Sequence, residues 1–317
     1  MGLFQFVVFG LEKGSYIAIA TMGFSLIYGI VDMINFGYGE YMTFGGYLGV
    51  FLAASQWLGL NVWFTIAGVF VVSAIVGWAV SRVVFTPIHD TGPIPLLLTS
   101  IGLGVVLRNL YRFVWGTERR FITLKFVFVP KKTFRIDFGP LNFYVTTKML
   151  LVMAVAVVTL IGIHLLLTRT DLGIAMRATA SNEDLAQLSG IRSYRMRQYT
   201  WVLASGLAGL SGLMVGAVGE VSPQLGLEFI LVILASAILG GVGSVYGGFL
   251  GAYLIGLTIA FAAAGFSPLL EPIPVLSRYL LPIGEFIAPM SRQVSFFVLI
   301  LVLLLKPSGI AGTEVET

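Results

Sequence analysis

Long apolar runs, broken by short polar stretches, repeat from one end of the chain to the other. A bilayer crossing needs about 20 mostly apolar residues, because a helix rising roughly 1.5 Å per residue must cover about 30 Å of hydrocarbon with every backbone group paired internally. Eight or nine runs meet that need, at approximately 4–31, 36–57, 62–85, 94–115, 148–167, 199–219, 226–240, 246–265 and 293–306. They predict an all-α polytopic membrane protein, one transmembrane domain over residues 1–317. The seventh and eighth runs are short and flank a glycine cluster, which predicts broken or re-entrant helices beside a polar cavity.

Three stretches between runs can hold structure of their own. Residues 116–147 alternate apolar and polar positions over Thr133 to Phe138, then read Gly139-Pro140 and Leu141 to Val145, the pattern of either a small hairpin or an irregular loop. Residues 168–198 are polar and helical by pattern, while 266–292 carry Pro268, Pro272, Pro274, Pro282 and Pro289 and cannot form one regular helix. Basic residues do not settle the orientation. Arg169, Arg177, Arg192, Arg195 and Arg197 would hold 168–198 in the cytoplasm, yet Arg119, Arg120, Lys125, Lys131, Lys132 and Arg135 make the same claim for 116–147, one crossing away.

Composition agrees with the pattern. Of 317 residues 57% are hydrophobic and 11% charged, against roughly a quarter in ordinary soluble domains. The formal charge of +4 comes with no recognition helix, zinc pattern or aromatic-basic platform, so no nucleic acid is expected. The absence of cysteine excludes disulfides and thiol chemistry, and the isolated His89 and His164 give no metal-ligand spacing, so no cofactor is expected. Met1 to Leu11 lacks a basic leader and a small-residue cleavage site and reads as part of the first crossing.

Gly243, Gly247 and Gly251 fall four apart, the spacing that on a helix makes one shallow face for a close backbone neighbour; Gly45/Gly49 and Gly212/Gly216 repeat it. With Gly240, Gly241 and Gly248 they make 240–251 the most glycine-dense stretch, a hinge beside tight packing. Charges at membrane depth cost at least about 2.5–3.5 kcal/mol and normally face a cavity or a partner. Glu12, Glu40 and Arg108 are the candidates, with Glu12 beside Lys13 reading as interfacial. Ile34 to Tyr41 holds Asn35, Gly37, Gly39 and Glu40, too polar and glycine-rich for a helix interior; either the helix is interrupted here or Glu40 caps the second crossing at the interface.

Within 168–198, Thr170-Asp171 can cap one short helix, Ser181 with Asp184 forms a capping-box pattern for a second, and Gly190 can end it. Ala175, Ala178, Ala180 and Ala186 would let such a pair lie in another protein's groove, with Arg177 and Asn182 free to hydrogen-bond there; a solvated pair without a partner is the other reading.

Five blocks together resemble the branched-chain amino-acid ABC importer permeases of the LivH type, in a wider family that includes sugar and urea permeases. Gly14 to Gly49 looks like the family's opening run ending in INFAHGE, reading INFGYGE here. Gly37-Tyr38 replaces the Ala-His pair, so a role resting on that histidine does not carry over. PLLLTSIGLGVVL, from Pro95 to Leu107, resembles the fourth-crossing signature, with Thr99, Ser100 and Gly102 in place. Gly173, Arg177, Ala178, Asn182, Ala186, Gly190 and Ile191 look like the loop that docks on the ATPase. LGGVGSVYGGFLG, from Leu239, and KPSGIAG, from Lys306, complete the set.

The resemblance implies a multi-pass permease of a prokaryotic plasma (inner) membrane. It would work with two ABC ATPase subunits, a second permease subunit (LivM-like, or a second copy) and an extracytoplasmic solute-binding protein. It places 168–198 in the cytoplasm as the coupling segment and 116–147 outside; the resemblance does not explain the basic residues there, for which a meeting with an acidic lobe of the binding protein is one hypothesis. No GxxxxGK[ST] occurs, so ATP would be hydrolysed on other subunits, and without a catalytic constellation no enzyme activity is expected. A passing zwitterion needs weak holding by backbone groups and hydroxyls, which nominates Asn35, Gly39, Glu40, Thr99, Ser100, Gly240, Gly241, Gly243 and Ser244 as pathway or hinge positions. A urea or short-amide importer, and from another class an ion-coupled secondary transporter, are the alternatives.

Overall fold

A computed structural model describes residues 3–54, 61–122, 133–138, 141–265, 288–306 and 309–310. Among them the long helices are α1 (Leu3–Val31), α2 (Tyr38–Ala54), α3 (Val62–Val80), α4 (Pro93–Trp115), α5 (Thr147–Arg169), α8 (Ser193–Val218), α9 (Leu225–Gly240), α10 (Val245–Ala263) and α11 (Ser291–Leu305), with the short α6 (Asp171–Ser181) and α7 (Glu183–Leu188) between α5 and α8. Among the described residues six helical stretches are long and apolar enough to cross a membrane: α1, α3 with its continuation to Thr91, α4, α5, α8 and α10. The remaining α2, α9 and α11 have 17, 16 and 15 residues.

From Gly14 to Ile27 α1 is buried on all sides, and the helix packs on α10, α8, α5 and α9. α3, α4 and α5 instead turn apolar side chains outward, among them Val71, Ile75, Val105, Val106, Val157 and Val158, as helices facing lipid do. α3 loosens into a π-turn (Ser81–Phe85) and a 3-10 turn (Thr86–Thr91) around Pro87, whose nitrogen has no hydrogen to donate. The Gln198 amide in α8 clamps this irregular turn, donating to Ser81 Oγ at 3.1 Å and Thr86 Oγ1 at 2.9 Å.

The alternation over Thr133 to Val145 forms an antiparallel hairpin, β1 (Thr133–Phe138) and β2 (Leu141–Thr146), with Thr133 opposite Thr146 and Phe138 opposite Leu141. It stands at the start of α1, where the Gln5 amide exchanges two hydrogen bonds with the backbone of Tyr144. The α6–α7 pair stands at the far end of α5, so the two polar connections occupy opposite ends of the bundle. Several bases near the hairpin are used within the chain. Arg119 pairs with Glu220 at 2.5 Å, Arg120 bridges backbone to backbone with Val221, and Arg135 lies over the Tyr144 ring. Lys125, Lys131, Lys132 and the proline-rich 266–287 lie outside the described residues.

Gly45 and Gly49 of α2 and Gly212 of α8 lie in the contact between these two helices, while Gly216 packs on Ile122 and Val221. Gly45 on α2 faces Gly209 on α8 so closely that a Cβ would land on its backbone, and Gly212 meets Met42 in the same way. Gly45→Ala is therefore expected to lower the membrane-inserted protein several-fold, while Gly102→Ala, where a Cβ meets nothing within 4 Å, leaves it unchanged. Quantitative immunoblots of membranes compare the two.

Candidate functional site

α1 ends because Asp32 turns into the left-handed region, at φ 55°. The chain then runs back into the bundle without helix as far as Gly37, which makes the Ile34 to Tyr41 stretch an interrupted helix. An interruption inside a membrane protein must satisfy its freed backbone groups locally. Ser100 on α4 does so: its hydroxyl donates to Leu97 O at 2.7 Å and accepts the Phe36 N–H at 3.1 Å. Gly37 passes against the Ser100 carbonyl, and Tyr38 N donates to Asn35 O at 3.2 Å, restarting the helix. Asn35 is fully buried, yet neither its Oδ1 nor its Nδ2 has a hydrogen-bond partner. An amide left so costs on the order of 1–3 kcal/mol.

The first turn of α2 is locked on three sides. Glu40, 1% exposed, accepts from Arg108 Nη2 at 2.6 Å and Nε at 3.0 Å, and its carbonyl accepts the Tyr111 hydroxyl at 3.1 Å, both from α4. Gly39 abuts Gly226 of α9, whose N–H donates to Thr43 Oγ1 at 2.8 Å. Tyr38, standing where the resembling family has histidine, donates to Ala20 O and Ala204 O and so ties α1 to α8. Glu40 is thus a buried partner of Arg108 in the first turn of α2. Thr99, half-buried on the adjacent face of α4, is not drawn into this network.

The glycine-dense stretch is a turn between two helices. Gly241 and Gly243 have φ of 103° and 81°, conformations open to glycine at no steric cost, and Ser244 caps α10 by accepting from Gly247 N at 3.1 Å. This corrects the expectation of three glycines on one face. α10 begins only at Val245, so Gly243 belongs to the turn, and the seam pairs Gly247 and Gly251 of α10 with Gly240 of α9. The C-terminal strap closes over it, with Ile310 N donating to Leu239 O at 2.9 Å.

In α6–α7, Thr170 caps α6 as expected, accepting from Gly173 N at 3.1 Å. The second cap is Asn182, whose Oδ1 accepts from Leu185 N at 2.9 Å, and not Ser181 with Asp184. Ser181 is still inside α6, and one residue must leave it before α7 can begin. Gly190, at φ 84°, ends α7, with Gly190 N donating to Gln187 O and Ile191 N to Ala186 O, a Schellman closure. Gly173 lies against Leu166 and Ala186 is buried, so both fix the pair on its own chain; Arg197 pairs with Glu183 and adds a strap from α8. Ala178 is half-buried. Turned outward are Ile174, Arg177, Asn182, Leu185 and Leu188.

A cavity of about 710 Å³ opens at this end of the bundle, lined by Gly29, Asp32, Arg177, Asn182 and Gly243 among others. The structure therefore brings the α6–α7 residues and the glycine turn to one space, while Asn35, Gly39, Glu40 and Ser100 gather in a second cluster where α2, α4 and α9 meet. Ser25 Oγ, buried and without a partner, lines the cavity and was not marked by the sequence, because a lone serine in an apolar run carries no pattern. Among the described residues no group of three His, Asp or Glu could hold a metal.

A family model described as "Branched-chain amino acid transport system / permease component" matches residues 6–303. The high-affinity branched-chain amino acid transport system permease protein LivH of Salmonella typhimurium is 28% identical over 317 residues, spanning 97% of this chain and 95% of the relative. Its Escherichia coli K12 counterpart is 27% identical over 97% and 95% of the two chains. The permease protein BraD of Pseudomonas aeruginosa is 29% identical over 98% and 97%. No solved structure matches.

Proposed function

The chain belongs to the branched-chain amino acid transport permease family, and on that premise we propose that it is the gate through which branched-chain amino acids pass, moved by ATP hydrolysed on separate subunits that hold α6–α7. It is the membrane-spanning permease subunit of an ABC importer, a multi-pass protein of the plasma membrane. The substrate is that named for its relatives, LivH and BraD. In this reading α6–α7 faces the cytoplasm, residues 116–147 lie outside, and the whole chain is one permease domain without catalytic activity of its own. Two ATPase subunits, a second permease (LivM-like, or another copy) and a solute-binding protein complete the importer.

The observation that carries the mechanism is the shared cavity. Arg177 and Asn182 line it together with Gly243, and α6 packs on α1, whose Gly29 lies against Gly243, so a push on the short helix pair reaches the turn between α9 and α10 through α1. Packed helices answer such a push by moving between discrete arrangements, and the Gly240/Gly247 seam is where α9 and α10 can slide, having no side chains to interlock. Gly241 and Ser244 bound the hinge. Asn35, Gly39, Glu40, Thr99 and Ser100 form the stretch of pathway beside the interrupted helix.

Uptake of labelled leucine into proteoliposomes holding the complete importer tests the reading, with ATP dependence as the required result; uptake that follows an ion gradient overturns it. Asn35→Leu sharpens the test. Leucine in place of an unpaired buried amide removes the desolvation penalty of that amide, so thermal stability should hold or rise while uptake falls at least tenfold. Unchanged uptake removes Asn35 from the pathway.

A further inference from the structure

At the hairpin end, a second cavity of about 260 Å³ opens between α1, the end of α8 and the starts of α9 and α11. Glu12 and Lys13 form one wall, about 10 Å along α1 from the Gln5–hairpin contact, and Glu228 and Arg292 form another. Its floor is aromatic, Tyr16 meeting Phe229 edge to face at 5.8 Å. Glu228 and Arg292 pair with each other at 2.6 Å, and the guanidinium also covers the Phe229 ring.

Glu12 and Lys13 are different. Successive residues on a helix do not face each other, and neither makes a hydrogen bond or ion pair among the described residues. Glu12 is only 8% exposed. A carboxylate and an ammonium, held apart on one wall over an aromatic floor, are complementary to a solute with both charges and an apolar side chain. The space is below the roughly 300–1,000 Å³ of sites for drug-sized ligands, a size for one small molecule.

We propose that this cavity is an entry site for a single zwitterionic amino acid, Glu12 receiving its ammonium, Lys13 its carboxylate, and Tyr16 with Phe229 its aliphatic side chain. The site is distinct from the cluster around Asn35 and rests on the amino-acid reading above. Its place at the hairpin end makes it the first stop for a solute arriving from outside.

The test uses the assembled importer in nanodiscs without its binding protein, with L-leucine observed by saturation-transfer NMR. Leucine should bind at least tenfold more tightly than 4-methylpentanoate, which lacks the ammonium, and than isopentylamine, which lacks the carboxylate. Glu12→Gln and Lys13→Met should each weaken leucine at least tenfold, and Lys13→Met should abolish its advantage over the amine. Equal binding of the three compounds, or unchanged leucine binding by both variants, overturns the site. The competition series needs only the unaltered protein, so a variant that fails to assemble leaves it decisive. ATP-driven leucine uptake by the complete importer, run in parallel, separates the two readings: uptake without a charge-selective site removes only the site, whereas no leucine uptake removes the substrate on which it rests.

Discussion

Arg108→Gln alone will strip most of the permease from the membrane, and Glu40→Gln in the same chain will restore it. Glu40 is 1% and Arg108 17% exposed at the side chain, and two hydrogen bonds join them. Removing one partner of such a pair leaves a buried charge uncompensated, at about 3–5 kcal/mol, and removing both charges together avoids that penalty. A double-mutant cycle on thermal inactivation in detergent should return a coupling of about 2–3 kcal/mol, the upper part of the range for residues in contact. Uptake by the double variant then separates two roles. If the pair only holds α2 against α4, transport returns with the protein. If Glu40 also meets the passing solute, the protein returns and transport does not. A single Arg108→Gln that accumulates and transports normally removes the pair from the account of this fold.

The pair also shows where sequence reading stops. Glu40 and Arg108 each stand out as a charge in an apolar run, but 68 positions separate them and no periodicity links them. The interruption before α2 was legible because Asn35, Gly37 and Gly39 together cannot sustain a helix, yet Ser100 as its backbone partner was not, a hydroxyl being unremarkable on any helix. Gly45, Gly49, Gly212 and Gly216 announced close packing, but not that Gly45 meets Gly209 or that Gly212 meets Met42 across α2 and α8. Two errors share one cause. Ser181 and Asn182 are both good capping residues, and Gly243 and Gly247 are both at seam spacing; each choice turned on a helix end displaced by one or two residues, which local propensity does not resolve. Glu12 and Lys13 stand out as charges in an apolar run, but the facing walls of their cavity come from α8, α9 and α11, about 200 residues on, and no pattern links them.

Leu188→Asp should leave the permease in the membrane at its normal level and reduce ATP-driven uptake to background. Leu188 is 86% and Leu185 62% exposed, on a six-residue helix at a polar end of the bundle. An exposed substitution of this kind changes stability by about 0.5 kcal/mol or less, whereas burying a leucine against a partner contributes about 1.5–3 kcal/mol, all of it forfeited when aspartate takes its place. The ATPase subunits should be lost on purification of Leu188→Asp and retained by the parent; retention with full uptake would show that α7 is not gripped. Asn182 tests how the grip is aimed. Its Oδ1 caps α7 through Leu185 N, and an alanine there removes about 1 kcal/mol of helix stability and loosens the two leucines together. Aspartate keeps the accepting oxygen, so Asn182→Asp should couple nearly as well as the parent and Asn182→Ala should not. Equal loss in both would mean that the partner reads the amide N–H itself, which aspartate lacks, and the role of Asn182 would move from orienting α7 to direct contact.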